Sequence, residues 1–177
     1  AIIINTEKID FLPSFNLTYS PASRTNIRIA GSRTVARPEF REIAPFTFFD
    51  FETIASTAGT PDLKRSSILN ADVRFEWYPK AGEVISVAAF YKQFTDPIEL
   101  RLNSGSVATR RQYEFQNAVS ADLYGTEFEI RKNLSFLSKS SEWLERFFLS
   151  GNVSVIFSEV LLGNTDPSGN PLPATTR

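Results

Sequence analysis

Between positions 68 and 78 the chain alternates with hardly a break: Leu69, Ala71, Val73, Phe75 and Trp77 are apolar, and Asn70, Asp72, Arg74, Glu76 and Tyr78 are polar. Successive side chains of a strand point to opposite faces, so this segment has one oily face and one charged face. After a short turn over 79–83 the code resumes, with Ile85, Val87, Ala89 and Tyr91 set against Ser86, Ala88 and Lys92. Two neighbouring strands therefore share one two-faced surface. Such a surface has two stable solutions. In a sandwich of two sheets the oily face is the core, whereas in a membrane barrel it meets lipid and the polar face lines the lumen.

The same alternation predicts six strands, over 11–20, 26–35, 68–78, 84–94, 122–132 and 147–158. Each is close to the ~9–11 residues of a tilted transmembrane strand and longer than the ~5–6 of a typical soluble one. Their connections alternate too. Tight links at 21–24 and 79–83 fall between long ones at 36–66 and 95–121, the pattern of barrels with short periplasmic turns and long extracellular loops. The connection over 133–146 belongs with the short ones by parity, and its Ser141 to Arg146 stretch can form one helical turn from a Ser cap. The 95–121 excursion carries its own hairpin, with Ile98, Leu100 and Leu102 alternating with Glu99, Arg101 and Asn103 ahead of a Ser104-Gly105-Ser106 turn and a return over 112–117. Aromatic residues near strand ends, Tyr19, Trp77, Tyr78, Tyr91 and Phe94, suit a membrane interface.

Composition narrows the chemistry. With 0 His, 0 Cys and 0 Met, the chain has no Ser-His-Asp triad, no thiolate nucleophile and no zinc site of the usual kind. The 20 Asp and Glu residues include no pair whose spacing marks a glycosidase, and Asp166-Pro167-Ser168-Gly169-Asn170 lacks the spacing of a calcium loop and is read as a turn. We expect no enzyme, no metal and no cofactor. A net charge of −1 with dispersed Lys and Arg gives no nucleic-acid footprint. No apolar run approaches the ~20 residues of a spanning helix, and residues 1–4 are too short for a signal peptide. The expectation is one partial barrel domain over 1–177, a fragment without signal peptide.

The segment Arg33-Thr34-Val35-Ala36-Arg37-Pro38-Glu39-Phe40-Arg41-Glu42, followed by Ala44-Pro45-Phe46 and Phe49-Asp50-Phe51, resembles the strand-to-loop junction of TonB-dependent outer-membrane receptors, particularly of Bacteroidetes type. Gly59-Thr60-Pro61-Asp62-Leu63-Lys64 is similar to that family's asparagine-proline-x-leucine-lysine element, with Thr60 in place of the asparagine. Phe75-Glu76-Trp77-Tyr78-Pro79, Gly82-Glu83, Ala89-Phe90-Tyr91-Lys92 and Asp96-Pro97-Ile98-Glu99 follow in the family's order. The resemblance implies an antiparallel meander within a barrel of about 22 strands closed around a plug, and no plug is expected within these residues. It also implies a place in the outer membrane of a Gram-negative bacterium and import of a scarce nutrient such as a siderophore or glycan. The partners it implies are the lipid bilayer, the rest of the barrel and plug, the TonB complex through parts outside these residues, and a small nutrient ligand. An isolated segment with open sheet edges would self-associate.

The long 36–66 loop holds Phe40, Phe46, Phe48, Phe49 and Phe51 with Arg37, Arg41 and Asp50, candidates for a ligand-binding surface. The plainer reading is a local cluster that holds the loop to the barrel rim. Arg110 and Arg111 are candidates for an anionic ligand, against the plainer reading of solvated charge. The alternative for the whole chain is a soluble or surface β-sandwich carbohydrate-binding module. The two readings oppose each other at Phe75, Val87 and Phe128, which a sandwich buries together and a barrel turns outward.

Overall fold

A computed structural model describes residues 9–52, 54–103, 111–137, 143–163 and 175–176. In chain order the elements are β1 (Ser14–Ala22), β2 (Thr25–Ala36), a one-turn helix α1 (Phe40–Ile43), β3 (Thr47–Asp50), β4 (Ala55–Ala58), β5 (Ser66–Trp77), β6 (Val84–Thr95), β7 (Ile98–Leu102), β8 (Arg111–Asn117), β9 (Ser120–Asn133), β10 (Phe148–Leu161) and β11 (Thr175–Thr176). Seven of these form one sheet in the order β1-β2-β5-β6-β9-β10-β11. Every pairing in it is antiparallel. This is a wall that runs up and down, and among the described residues it does not close on itself.

The register brings like residues into rows. Tyr19, Ile27, Phe75, Val87, Phe128 and Val153 lie opposite one another in turn across six strands. The period of two then makes one whole face of the wall apolar. A soluble sheet would cover that face, and this one does not. Phe75, Val87 and Phe128 are 45, 48 and 42% exposed, while on the opposite face Glu76 and Ser86 are 6 and 2% exposed. Charged side chains are thus more shielded than aromatic ones, as on the concave side of a curved sheet where neighbouring side chains converge. We call the charged face inner and the apolar face outer. Among the described residues the buried apolar ones are Ala44, Ala55 and Ala118, all small and all outside the wall. A β-sandwich is therefore ruled out, because among the described residues no second layer buries the apolar face.

The outer face has polar limits. At the long-loop end its border row is Arg33, Leu69, Gln93, Asp122 and Glu159. The row inside it holds Gly31, Ala71, Tyr91, Tyr124 and Phe157, and the row nearest the short turns holds Trp77, Ile85 and Ile130. From Ala71 to Trp77 is about 20 Å along the strand. Tyr91 donates its hydroxyl to Asp122 at 2.5 Å, its ring in the apolar band and its oxygen at the polar border. An apolar hollow of roughly 790 Å³ opens where Gly31, Ala71 and Ala89 interrupt the bulk of the outer face.

Turns follow local chemistry. β1 runs through Pro21, which cannot donate to the ladder, and the register slips between Tyr19 and Ala22 to accommodate it. Gly82 takes φ +79° in the β5–β6 turn. The β9–β10 connection contains two 3₁₀ turns, Leu134–Phe136 and Leu144–Arg146. The second is preceded by Trp143 at its cap position, not by Ser141, which lies outside the described residues.

Candidate ligand-binding site

Both long excursions of the chain leave the same end of the wall, and they join. β3, β4, β8 and β7 form a second sheet in that order. β3–β4 and β7–β8 are antiparallel hairpins, and β4 lies parallel to β8 with Ala55–Ala58 beside residues 111–114. This loop sheet is also two-faced. Phe48, Thr57, Tyr113 and Leu102 fall in one row on its apolar side. The other side carries Gln112, Glu114 and Gln116 with Arg101 and Asn103. There Arg101 donates to Gln116 at 2.9 Å, Asn103 donates to Glu114 at 3.0 Å, and Gln116 donates to Glu114 in turn.

Ahead of the loop sheet, Glu39 and Glu42 close α1 with a capping box, the Glu42 carboxylate accepting from the Glu39 amide at 2.8 Å. Gly59 passes so near this turn that an added Cβ would lie 2.2 Å from the Ala44 carbonyl oxygen, so only glycine fits. Between α1, β7 and the upper inner wall is a cavity of roughly 730 Å³. Its floor is apolar, with Ile68, Phe94 and Leu123, and its rim is charged, with Arg37, Glu42 and Glu99. An apolar floor with a few charges at the rim suits a small ligand that presents both kinds of surface. The hollow on the outer face is lined mostly by apolar side chains and small residues, with Arg33 at its border.

Below the cavity the inner wall is ionic. Glu76 accepts from Arg28 at 2.9 Å and from the Tyr78 hydroxyl at 3.0 Å, and Arg74 Nε lies 3.1 Å from its second oxygen. Arg74 also donates to Glu129 at 2.6 Å and to Ser86 at 3.0 Å. Two cations and two anions from β2, β5 and β9 therefore balance, with β6 supplying the hydroxyl. At the short-turn end, burial raises the Tyr78 hydroxyl above its ordinary pKa, helped by its bond to Glu76. The hydrogen bond from Lys132 at 2.7 Å holds the Glu83 carboxyl below the usual carboxylate range against the opposing effect of burial.

The residues singled out from sequence are distributed unevenly. Phe46 and Phe48 are in contact at 4.4 Å between ring centroids, with Arg41 over Phe48 at 4.5 Å. Phe49 and Phe51, of opposite parity, pair edge to face at 4.9 Å. Asp50 accepts from the Glu52 amide at 2.9 Å, and Phe40 is exposed beside neither pair. Arg37 lines the cavity and contacts Asp10 at 3.4 Å. Arg111 begins β8 opposite Ala55, and Arg110 lies outside the described residues, as do 104–106 and 166–170. Tyr19, Trp77 and Tyr91 have outer-face parity, but two aromatics assigned to the membrane interface do not. Tyr78 turns inward to Glu76, and Phe94 shares the parity of Ser86 and lines the cavity floor. Ile68 and Leu123 were not anticipated as cavity residues, although their positions in the alternation put them on the inner face.

Residues 6–177 match the family model described as TonB dependent receptor-like, beta-barrel. No curated protein sequence matches the chain. Among solved structures, the siderophore receptor PirA from Pseudomonas aeruginosa is similar with a TM-score of 0.61 at 15% identity, over 85% of this chain and 30% of that one. The ferric enterobactin receptor PfeA from Pseudomonas aeruginosa, in a mutant form in complex with enterobactin, is similar with a TM-score of 0.59 at 18% identity, over 92% of this chain and 24% of that one. The chain thus spans less than a third of either of these receptors. At this identity the likeness speaks for the fold, and the fold it gives is a segment of an antiparallel barrel.

Proposed function

Because the chain belongs to the TonB-dependent receptor β-barrel family, we propose that it forms wall and ligand-binding loops of an outer-membrane receptor that imports a small nutrient, a ferric siderophore first among them. The outer face meets the bilayer, with Tyr19 and Trp77 near one border and Tyr91 at the other. The long-loop end is extracellular and the short turns are periplasmic. The inner wall faces the plug, through which TonB drives uptake. The family is one of transport receptors, and catalysis has no part in this reading. The motif order in 33–64 supports a Bacteroidetes-type member.

One observation carries the ligand assignment: the cavity of roughly 730 Å³ whose apolar floor belongs to the wall and whose charged rim belongs to the loops. Beyond the Arg37 of that rim, the candidate contacts are the patch of Phe46, Phe48 and Arg41, the pair Phe49 and Phe51 with Asp50, and Phe40, Arg110 and Arg111. The siderophore reading is supported by the structural neighbours and by the mixed character of the cavity. The test is growth of a deletion strain on single sources of iron and carbon. We expect the defect on one class of ferric chelate, restored by the intact gene and not by one lacking 37–65. A defect confined to a glycan moves the ligand class, and growth equal to the parent on every source refutes uptake. The isolated 177-residue chain, with open edges on its wall, is expected to self-associate or to require detergent. A monodisperse soluble monomer in sedimentation would contradict this.

A further inference from the structure

The two long loops start from different hairpins of the wall, yet one side chain ties both to the same place. Asn117, the last residue of β8, accepts from the Lys64 amide at 2.7 Å and donates to the Lys64 carbonyl at 2.9 Å. The same Nδ2 donates to the Asp96 carbonyl at 2.8 Å. The first two bonds imitate a bridge between strands, made by an amide side chain in place of a second backbone. Those two cross from one loop to the other, and the third closes the entry of Asn117's own loop. Asp96 is held there in the left-handed region at φ +52°, and its carbonyl also accepts from Ser66 at 2.8 Å. Next to the clamp, Ala118 is 1% exposed and its amide donates to Pro97 at 2.8 Å. Above it, β4 and β8 pair in parallel over four residues each.

From this arrangement we propose that Asn117 is a positioning residue that joins the 37–65 and 96–119 excursions into one body, so that the aromatic patches of the first loop and the β7–β8 hairpin are presented to a ligand together. The chemistry admits little else at this position. The Lys64 carbonyl needs a donor and the Lys64 amide an acceptor, and the Asp96 carbonyl, already bound by Ser66, takes a second donor, a set that a carboxamide provides and a carboxylate cannot. An Asp of the same shape would direct a carboxylate oxygen at two carbonyl oxygens. The clamp uses only backbone atoms of Lys64, whose ammonium lies 3.9 Å from the Asp96 carboxylate in a separate, exposed contact. A four-residue parallel pairing between two hairpins is too short to hold without such support. The coupling stands on geometry alone. Its consequence for ligand capture rests on the reading of this end as the ligand face.

The test is amide hydrogen exchange on the complete receptor in lipid vesicles, with no ligand present. In Asn117→Asp, exchange should accelerate by a common factor of about tenfold or more in both 55–58 and 111–117, including residues that Asn117 does not touch, while β5 and β6 keep their protection. Asn117→Ala should act in the same direction should the Asp variant fail to insert. Asn117→Gln, which has the right chemistry on a longer stem, should retain more protection than the isosteric Asp, whereas simple packing would reverse that order. Lys64→Ala should leave both segments as in the wild type. The proposal is overturned if only the Lys64 amide accelerates, if the two segments respond by different factors, or if Lys64→Ala loosens the loops as much as Asn117→Asp. An error in the ligand reading would appear instead in the growth test, with exchange still coupled.

Discussion

The wall and the loop sheet are built from the same alternating code and held by opposite means. In the wall, the six long strands of 9–14 residues pair along their length, and the apolar side chains face outward. In the loop sheet, strands of 4–7 residues pair briefly, and the connections between hairpins depend on single side chains such as Asn117. Burial therefore has a different meaning in each. An apolar residue exposed on the wall is in its proper solvent, because lipid is as apolar as a protein core and demands only that backbone groups be paired. An exposed Leu100 in the loop sheet, or Phe46 just ahead of it, faces water and in the proposed reading is offered to a ligand.

Arginine on each surface should give the largest contrast. Val87→Arg in the middle of the outer face should cost about 2–4 kcal/mol in reversible unfolding from a bilayer, whereas Leu102→Arg on the loop sheet should stay within about 0.5 kcal/mol. Equal costs would mean that the outer face is not in lipid. Next in size is Glu76→Leu, which leaves Arg28, Arg74 and Tyr78 without their shared acceptor. Because both arginines are partly exposed, the loss should be about 1–3 kcal/mol by the same measurement. A neutral result would show that the inner wall relies on water or the plug to satisfy these groups. Within the loop sheet, Phe48→Ala removes the contacts with Phe46 and Arg41 and should destabilise the loop body by about 0.5–1.5 kcal/mol. Exchange in β3 and β4 would rise while the wall stays unchanged.

The smallest effect is with pH at the short-turn end. The folded pKa of Glu83 is depressed, so its contribution to stability is complete above the ordinary carboxylate pKa and is lost as the pH falls through the lower, folded value. Denaturant midpoints compared at about pH 6 and pH 3.5 should show a decline that is smaller in Glu83→Gln. An identical decline in both proteins would assign it to other carboxylates.

Parity was the reliable signal and residue type the unreliable one. Tyr78 and Phe94, aromatic and near strand ends, suit a membrane interface by residue type alone. Each belongs instead to the same face as its neighbours two residues away, Glu76 for one and Lys92 for the other. The β7–β8 hairpin was visible in the alternation of 98–103. Its parallel partner β4 was not, because Ala55–Ala58, Ala-Ser-Thr-Ala, has no contrast between faces. Nor does any local pattern mark Asn117, since its partners lie 53 and 21 positions away.

The order of residues by itself determined the antiparallel strands, their two faces and the end of the wall from which the long loops leave. These follow from a period of two and from turn residues, both of which act over a few positions. Tertiary structure alone decided that the apolar face is uncovered, that a charged network crosses four strands beneath an apolar cavity floor, and that two loops share one sheet. Each of those depends on groups brought together across the register, and distance along the chain carries no record of them.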